Sequence, residues 1–113
     1  RVAVGIDARD GIVRMRGWKE NSGIPALDLA VQMRILGLRT VIFTDVSRDG
    51  LGTGLNIAAT RELAEVSGTN VIASGGVHTI EDVRAARDAN LSGVIIGRAL
   101  YERTIDLEKA LQV

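Results

Sequence analysis

Thr40-Val41-Ile42-Phe43-Thr44 is a short, nearly continuous apolar run rich in β-branched residues. A strand with one wet face alternates apolar and polar positions, whereas an unbroken run is the pattern of a parallel strand buried on both faces. Working outward, Val2-Ala3-Val4-Gly5-Ile6 precedes it with the same character, and Asn70-Val71-Ile72-Ala73-Ser74 and Gly93-Val94-Ile95-Ile96-Gly97 follow it. Helical patterns fill the intervals. Leu27, Ala30, Val31, Ile35 and Leu36 share a face, with Gly37 as a C-terminal stop. Ile57 to Val66 forms a second helix behind Asn56 as N-cap. Thr79-Ile80-Glu81-Asp82 opens a third as a capping box, and Asp106 caps a short last helix from Leu107 to Leu111.

Strand and helix thus alternate four times, which predicts an α/β fold with a parallel sheet and right-handed crossovers. Residues 1–113 are read as one unit of four βα repeats. The segments after the helices are brief, such as Gly37-Leu38-Arg39, while those after the first two strands, Asp7 to Pro25 and Asp45 to Asn56, are long, glycine-rich and charged. In βα barrels the loops after the strands build the site, so the unusual chemistry gathers at one end. Ile6-Asp7-Ala8-Arg9-Asp10-Gly11 also echoes Thr44-Asp45-Val46-Ser47-Arg48-Asp49-Gly50, as duplicated βα units would.

Composition narrows the partners. Fourteen basic residues balance fourteen acidic ones, leaving no electrostatic footprint for nucleic acid or an acidic membrane surface. There are no cysteines, which excludes a disulfide framework and thiolate metal sites and suits a cytoplasmic protein. No apolar run approaches the roughly 18 residues of a membrane span. An anion must therefore be held locally. Ser74-Gly75-Gly76 after the third strand and Gly97-Arg98-Ala99 after the fourth offer backbone NH groups and a helix start for a phosphate. Taken alone, a Gly-Gly pair is a tight turn, and it is the two motifs after consecutive strands that point to a ligand.

Asp7 ends strand one, and Asp45 and Asp49 follow strand two with Thr44 at its tip. A carboxylate in such a place can be tuned to move a proton, although most loop aspartates only shape turns. Asp7 and Asp49 are the candidates for chemistry, and Asp10 and Asp45 are read as turn residues. Trp18, beside Arg16 and Gly17, either plugs a surface cluster or stacks on a planar ligand. His78 is read as a surface or capping residue, and neither a metal site nor a cofactor site is assigned.

Phe43 to Asn56, Ile72-Ala73-Ser74-Gly75-Gly76-Val77 and Val94 to Tyr101 together resemble the phosphoribosylformimino-aminoimidazole carboxamide ribotide isomerases of histidine biosynthesis, and the resemblance runs over essentially the whole chain. It implies the C-terminal half of a (β/α)8 TIM barrel, strands five to eight with their helices. It further implies an Amadori rearrangement of a phosphorylated sugar–imidazole substrate, run by acid and base without metal or cofactor. By that likeness Asp49 matches the general acid, Asp7 a substrate-supporting carboxylate and Thr44 a residue near the reacting sugar. Arg16 and Trp18 match the loop over the imidazole. Ser74, Gly75, Gly76, Gly97 and Arg98 match one of two phosphate sites, with Gly50 and Gly54 close by. The first-strand base and the second phosphate site belong to an N-terminal half that this sequence lacks, so the chain alone is expected to be inactive.

Three other readings stay open: the related cyclase subunit of the same pathway, an isomerase serving both histidine and tryptophan synthesis, and a non-catalytic half-barrel, dissected or engineered, that binds phosphate. Against the cyclase stand Arg9, where that family favours lysine, and Asp45, where it favours serine or asparagine. The abrupt entry into a strand at Arg1 suggests a cut from a longer chain. Open strand edges at Val2 to Ile6 and Val94 to Ile96 predict pairing with an N-terminal half-barrel or with a second copy.

Overall fold

The computed structural model describes residues 1–15, 17, 19–49 and 51–113. Its sheet has six strands in the order β3-β2-β1-β4-β5-β6: β1 Ala3–Arg9, β2 Ile12–Met15, β3 Glu20–Pro25, β4 Thr40–Asp45, β5 Asn70–Ser74 and β6 Gly93–Val94. The four expected strands are β1, β4, β5 and β6, and all their pairings are parallel. Helices α1 Ala26–Ile35, α2 Ile57–Ser67, α3 Ile80–Asp88, α4 Arg98–Tyr101 and α5 Leu107–Leu111 follow in chain order.

The expected long loop from Asp7 to Pro25 is instead largely strand. β1 continues to Arg9, turns through Asp10-Gly11 and pairs antiparallel with β2, which pairs antiparallel with β3. Asp10 and Gly11 lie at φ +52° and +79°, the left-handed pair that a two-residue hairpin with native twist demands. The strand register does not carry the echo between the first two units, since it sets Asp7 beside Thr44 and Ala8 beside Asp45, one residue out of the echo's alignment. Beyond that point one chain doubles back and the other enters a loop.

Helix boundaries follow local chemistry. Asn56 caps α2 by accepting from the Ala59 amide at 3.3 Å. Thr79 and Asp82 form the capping box of α3, and Asp106 accepts from the Glu108 amide at 2.9 Å to start α5. Gly37, at φ +104°, ends the turn after α1. The face of α1 differs from expectation. Ala26 and Ala30 are buried and Leu27, Leu29 and Met33 pack against the core, but Ile35 and Leu36 are 79% and 87% exposed.

The core lies between the helices and one face of the sheet. Ile6, Ala8, Val41, Phe43 and Val71 meet Ala26, Ala30 and Leu63 in one cluster. Ala73 meets Leu55, Val77, Val83, Ala86, Ala99 and Ile105 in a second. Each fully buried aliphatic side chain contributes about 1.5–3 kcal/mol. Because side chains alternate along a strand, Gly5, Asp7, Ile42, Thr44, Ile72 and Ser74 point to the opposite face. The expectation of burial on both faces fails there: Gly5 is exposed and Ile42 and Ile72 are half-buried, since no described helix crosses that side. The fourth strand is also shorter than its apolar run. Only Gly93–Val94 pairs in register, with further bonds from the Ser92 amide to the Val71 carbonyl at 2.8 Å and from the Ile95 amide to the Ala73 carbonyl at 2.9 Å. No described helix is long and apolar enough to cross a membrane.

Candidate functional site

Asp7, Thr44 and Ser74 form a row across β1, β4 and β5 at the C-terminal ends of the strands. At about 4.8 Å per strand the row is about 10 Å long. It lies on the face without helices. Thr44 is 8% exposed, whereas Asp7 is partly open.

The loop from β4 to α2 rises beyond this row. Asp45 anchors its start. Its Oδ1 accepts from the Ser47 amide at 3.0 Å and the Ser47 hydroxyl at 2.5 Å, and its Oδ2 accepts from Asn56 Nδ2 at 2.8 Å. Burial pushes this carboxyl upward, but the hydrogen bonds from Ser47 and Asn56 and the Arg48 charge outweigh it and hold Asp45 below the usual carboxylate range. Arg48 Nη1 donates to the carbonyls of Gly54 at 3.3 Å and Leu55 at 3.4 Å, crossing the loop a second time. Asp49 follows immediately and is exposed.

The glycine pair after β5 packs against the back of that loop. Gly75 and Gly76 sit at φ +92° and +91°. A Cβ on Gly75 would lie 2.7 Å from the Asp45 carbonyl, and one on Gly76 would lie 2.4 Å from the Gly54 carbonyl and 3.0 Å from Arg48 Cβ. These glycines are thus needed where backbone meets backbone, whatever their amides bind. Gly97, the residue before α4, has open space where its Cβ would be.

These elements enclose a cavity of about 460 Å³ lined by Asp49, Ser74, Gly75, Gly76, Gly97 and Arg98. Six of the residues singled out from sequence therefore meet in one place. Thr44 and Asp7 stand behind that lining, in the strand row. Gly54 lies on the return of the loop, where a Cβ would come within 3.1 Å of Asp82 Oδ1. Arg16, Trp18 and Gly50 lie outside the described residues. Arg98 turns along its own helix to Glu102, with Nε at 2.5 Å from Oε1. What α4 presents to an anion is then mainly backbone.

His78, read from sequence as a surface or capping residue, also lines the cavity. Its amide donates to Asp82 Oδ2 at 2.9 Å, which fits capping, but its ring rests on Gly52, where a Cβ would fall 3.2 Å from Nδ1. Its place two residues beyond the glycine pair was the available signal. Glu102 also lines the wall, with no sequence motif to mark it.

The sequence profile of a family described as "Histidine biosynthesis protein" matches residues 1–106. Among curated proteins, the chain is 50% identical over all 113 residues to the 1-(5-phosphoribosyl)-5-((5-phosphoribosylamino)methylideneamino) imidazole-4-carboxamide isomerase of Bacillus cereus. It is 51% identical to the protein of that name from Bacillus mycoides and 50% identical to that from Bacillus thuringiensis, again over its full length. In each case it covers 47% of the relative, so the chain spans about half the length of the curated relatives it matches.

Proposed function

The chain belongs to the histidine biosynthesis protein family, and from that premise we propose that it is half of an aldose–ketose isomerase. In this reading residues 1–113 are the C-terminal half of a (β/α)8 barrel, acting in the cytoplasm on a phosphoribosylated aminoimidazole carboxamide. The parallel β1-β4-β5-β6 sheet, with all its helices on one face, is what half of a barrel wall looks like, since the interior of a closed barrel is the face without helices. An N-terminal half would supply the remaining strands, the second phosphate site and the base. It would border β1, which β2 flanks only at Ala8 and Arg9.

The observation that carries the reading is that one cavity is lined both by Asp49 and by the glycines Gly75, Gly76 and Gly97. Backbone amides and Arg98 hold one phosphate. Asp49 protonates the ring oxygen as the ribose opens. The opposite half then removes the C2′ proton from the Schiff base, and the enolamine collapses to the ketose. Asp7 and Thr44, along the strand row, support the sugar, and by the family resemblance Arg16, Trp18, Gly50 and Gly54 take part in binding the substrate.

In the complete barrel, Asp49→Asn is expected to lower kcat about 10²–10⁴-fold, the usual contribution of a general acid, with KM little changed. A raised KM with intact kcat would make Asp49 a binding group and overturn its assignment as the acid.

A further inference from the structure

We propose that Asp45 is a positioning residue, which through Asn56 fixes where Asp49 stands in the cavity. The inference rests on the reading of Asp49 as the acid. Asp45 cannot itself meet substrate: it is 8% exposed, and both of its oxygens are engaged.

The partner of Asp45 makes the geometry informative. Asn56 uses its two amide atoms in two directions. Its Oδ1 accepts from the Ala59 amide as the cap of α2, while its Nδ2 donates to Asp45 Oδ2. The last residue of β4 is thereby tied to the residue before α2, and the whole intervening loop is closed at its base. Arg48, reaching the carbonyls of Gly54 and Leu55, closes it again one level higher, and Asp49 is the next residue.

The same tie sets the loop against the cradle. Gly75 packs on the Asp45 carbonyl and Gly76 on the Gly54 carbonyl, so a loop that opens at its base moves away from the glycine backbone. An untied loop of this length samples many conformations. A misplacement of about 1 Å can cost a reaction about 10²-fold.

The test exchanges the two partners in the complete barrel. Asp45→Asn leaves two amides facing each other, and Asn56→Asp leaves two carboxylates facing each other while retaining a good N-cap. The double exchange restores one donor and one acceptor with the polarity reversed. Each single variant is expected to lower kcat about 10-fold or more, to leave KM little changed, and to speed amide exchange across residues 46–55 relative to α3. The double variant is expected to recover most of both losses. Glu65→Gln, on the outer face of α2, serves as a control. Single variants with wild-type kcat and wild-type loop exchange would overturn the proposal, and so would a double variant with no recovery. Asp49→Asn is run alongside. If it leaves kcat intact, the reading beneath the proposal fails and the positioning role falls with it, and the exchange data still record whether the tie exists.

Discussion

Gly76→Ala is expected to be among the most costly single-methyl additions to this chain. The residue lies at φ +91°, where an L side chain is strained by roughly 1–2 kcal/mol. The added Cβ also falls 2.4 Å from the Gly54 carbonyl and 3.0 Å from Arg48 Cβ. Neither neighbour is the free end of a flexible side chain. The Gly54 carbonyl accepts from Arg48 Nη1 at 3.3 Å, so moving it loosens the loop as well. Overpacking of this kind costs about 1–3 kcal/mol, for a total of about 2–5 kcal/mol. Gly68→Ala separates the two contributions, because Gly68 has φ +70° and nothing within 4 Å of its Cβ. Urea unfolding followed by circular dichroism should show Gly76→Ala losing about 1–3 kcal/mol more than Gly68→Ala. At typical m values that is a midpoint difference on the order of 1 M. Equal midpoints for the two variants would mean that Gly76 is not wedged against the loop and would refute the packing account of the glycine pair.

The remaining expectations concern the cavity and its carboxylates. Inorganic phosphate titrated into the complete barrel should bind at the cradle. Arg98→Ala should weaken that binding only partly, because its guanidinium already meets Glu102, whereas Gly97→Ala, adding a methyl at the cavity wall, should weaken it more; calorimetry giving the reverse order would contradict a backbone cradle. Asp7→Asn should lower kcat less than Asp49→Asn, and Asp10→Asn should leave it unchanged, since asparagine accepts the left-handed turn at φ +52°. Steady-state kinetics on the three variants ranks them, and a dominant effect at Asp10 would reassign the acid. Asp45 titrates lower in the folded chain than when unfolded, so its stabilisation is complete above the unfolded value of about 3.9 and fades as pH falls through the lower folded value. Wild type should therefore lose more stability than Asp45→Asn below about pH 4, as read by urea midpoints, and parallel acid limbs would contradict the shift.

What could be read from sequence was what is encoded locally. The apolar runs became β1, β4, β5 and β6, and Asn56, Thr79 with Asp82, and Asp106 start helices because capping needs only residues a turn apart. The hairpin was not expected although Asp10-Gly11 is its signal, because β2 has only four residues and β3 is mainly polar, so neither shows a clear alternation. Ile35 and Leu36 kept the helical spacing of α1 but not its burial, since periodicity does not tell which neighbours cover a helix end. Gly75 and Gly76 were legible as a phosphate cradle or a tight turn, yet the carbonyls that require glycine there come from Asp45 and Gly54, far back along the chain. Asp45 was read as a turn former for the same reason. Its hydrogen bond to Ser47 is local, but its tie to Asn56 spans a loop whose path no local rule predicts. It therefore cannot serve as an inert control beside Asp10.

The central claim, that this chain holds one half of an isomerase barrel, is tested most directly by turnover. The chain is co-expressed with the N-terminal half of the Bacillus mycoides relative, with which it shares 51% identity across its own length. Conversion of the phosphoribosylated imidazole carboxamide to its ketose is then followed in the purified mixture. The account predicts no conversion by either half alone, conversion by the pair, and its loss with Asp49→Asn. A folded pair that forms no ketose, or a chain that turns over substrate without any partner, would contradict it.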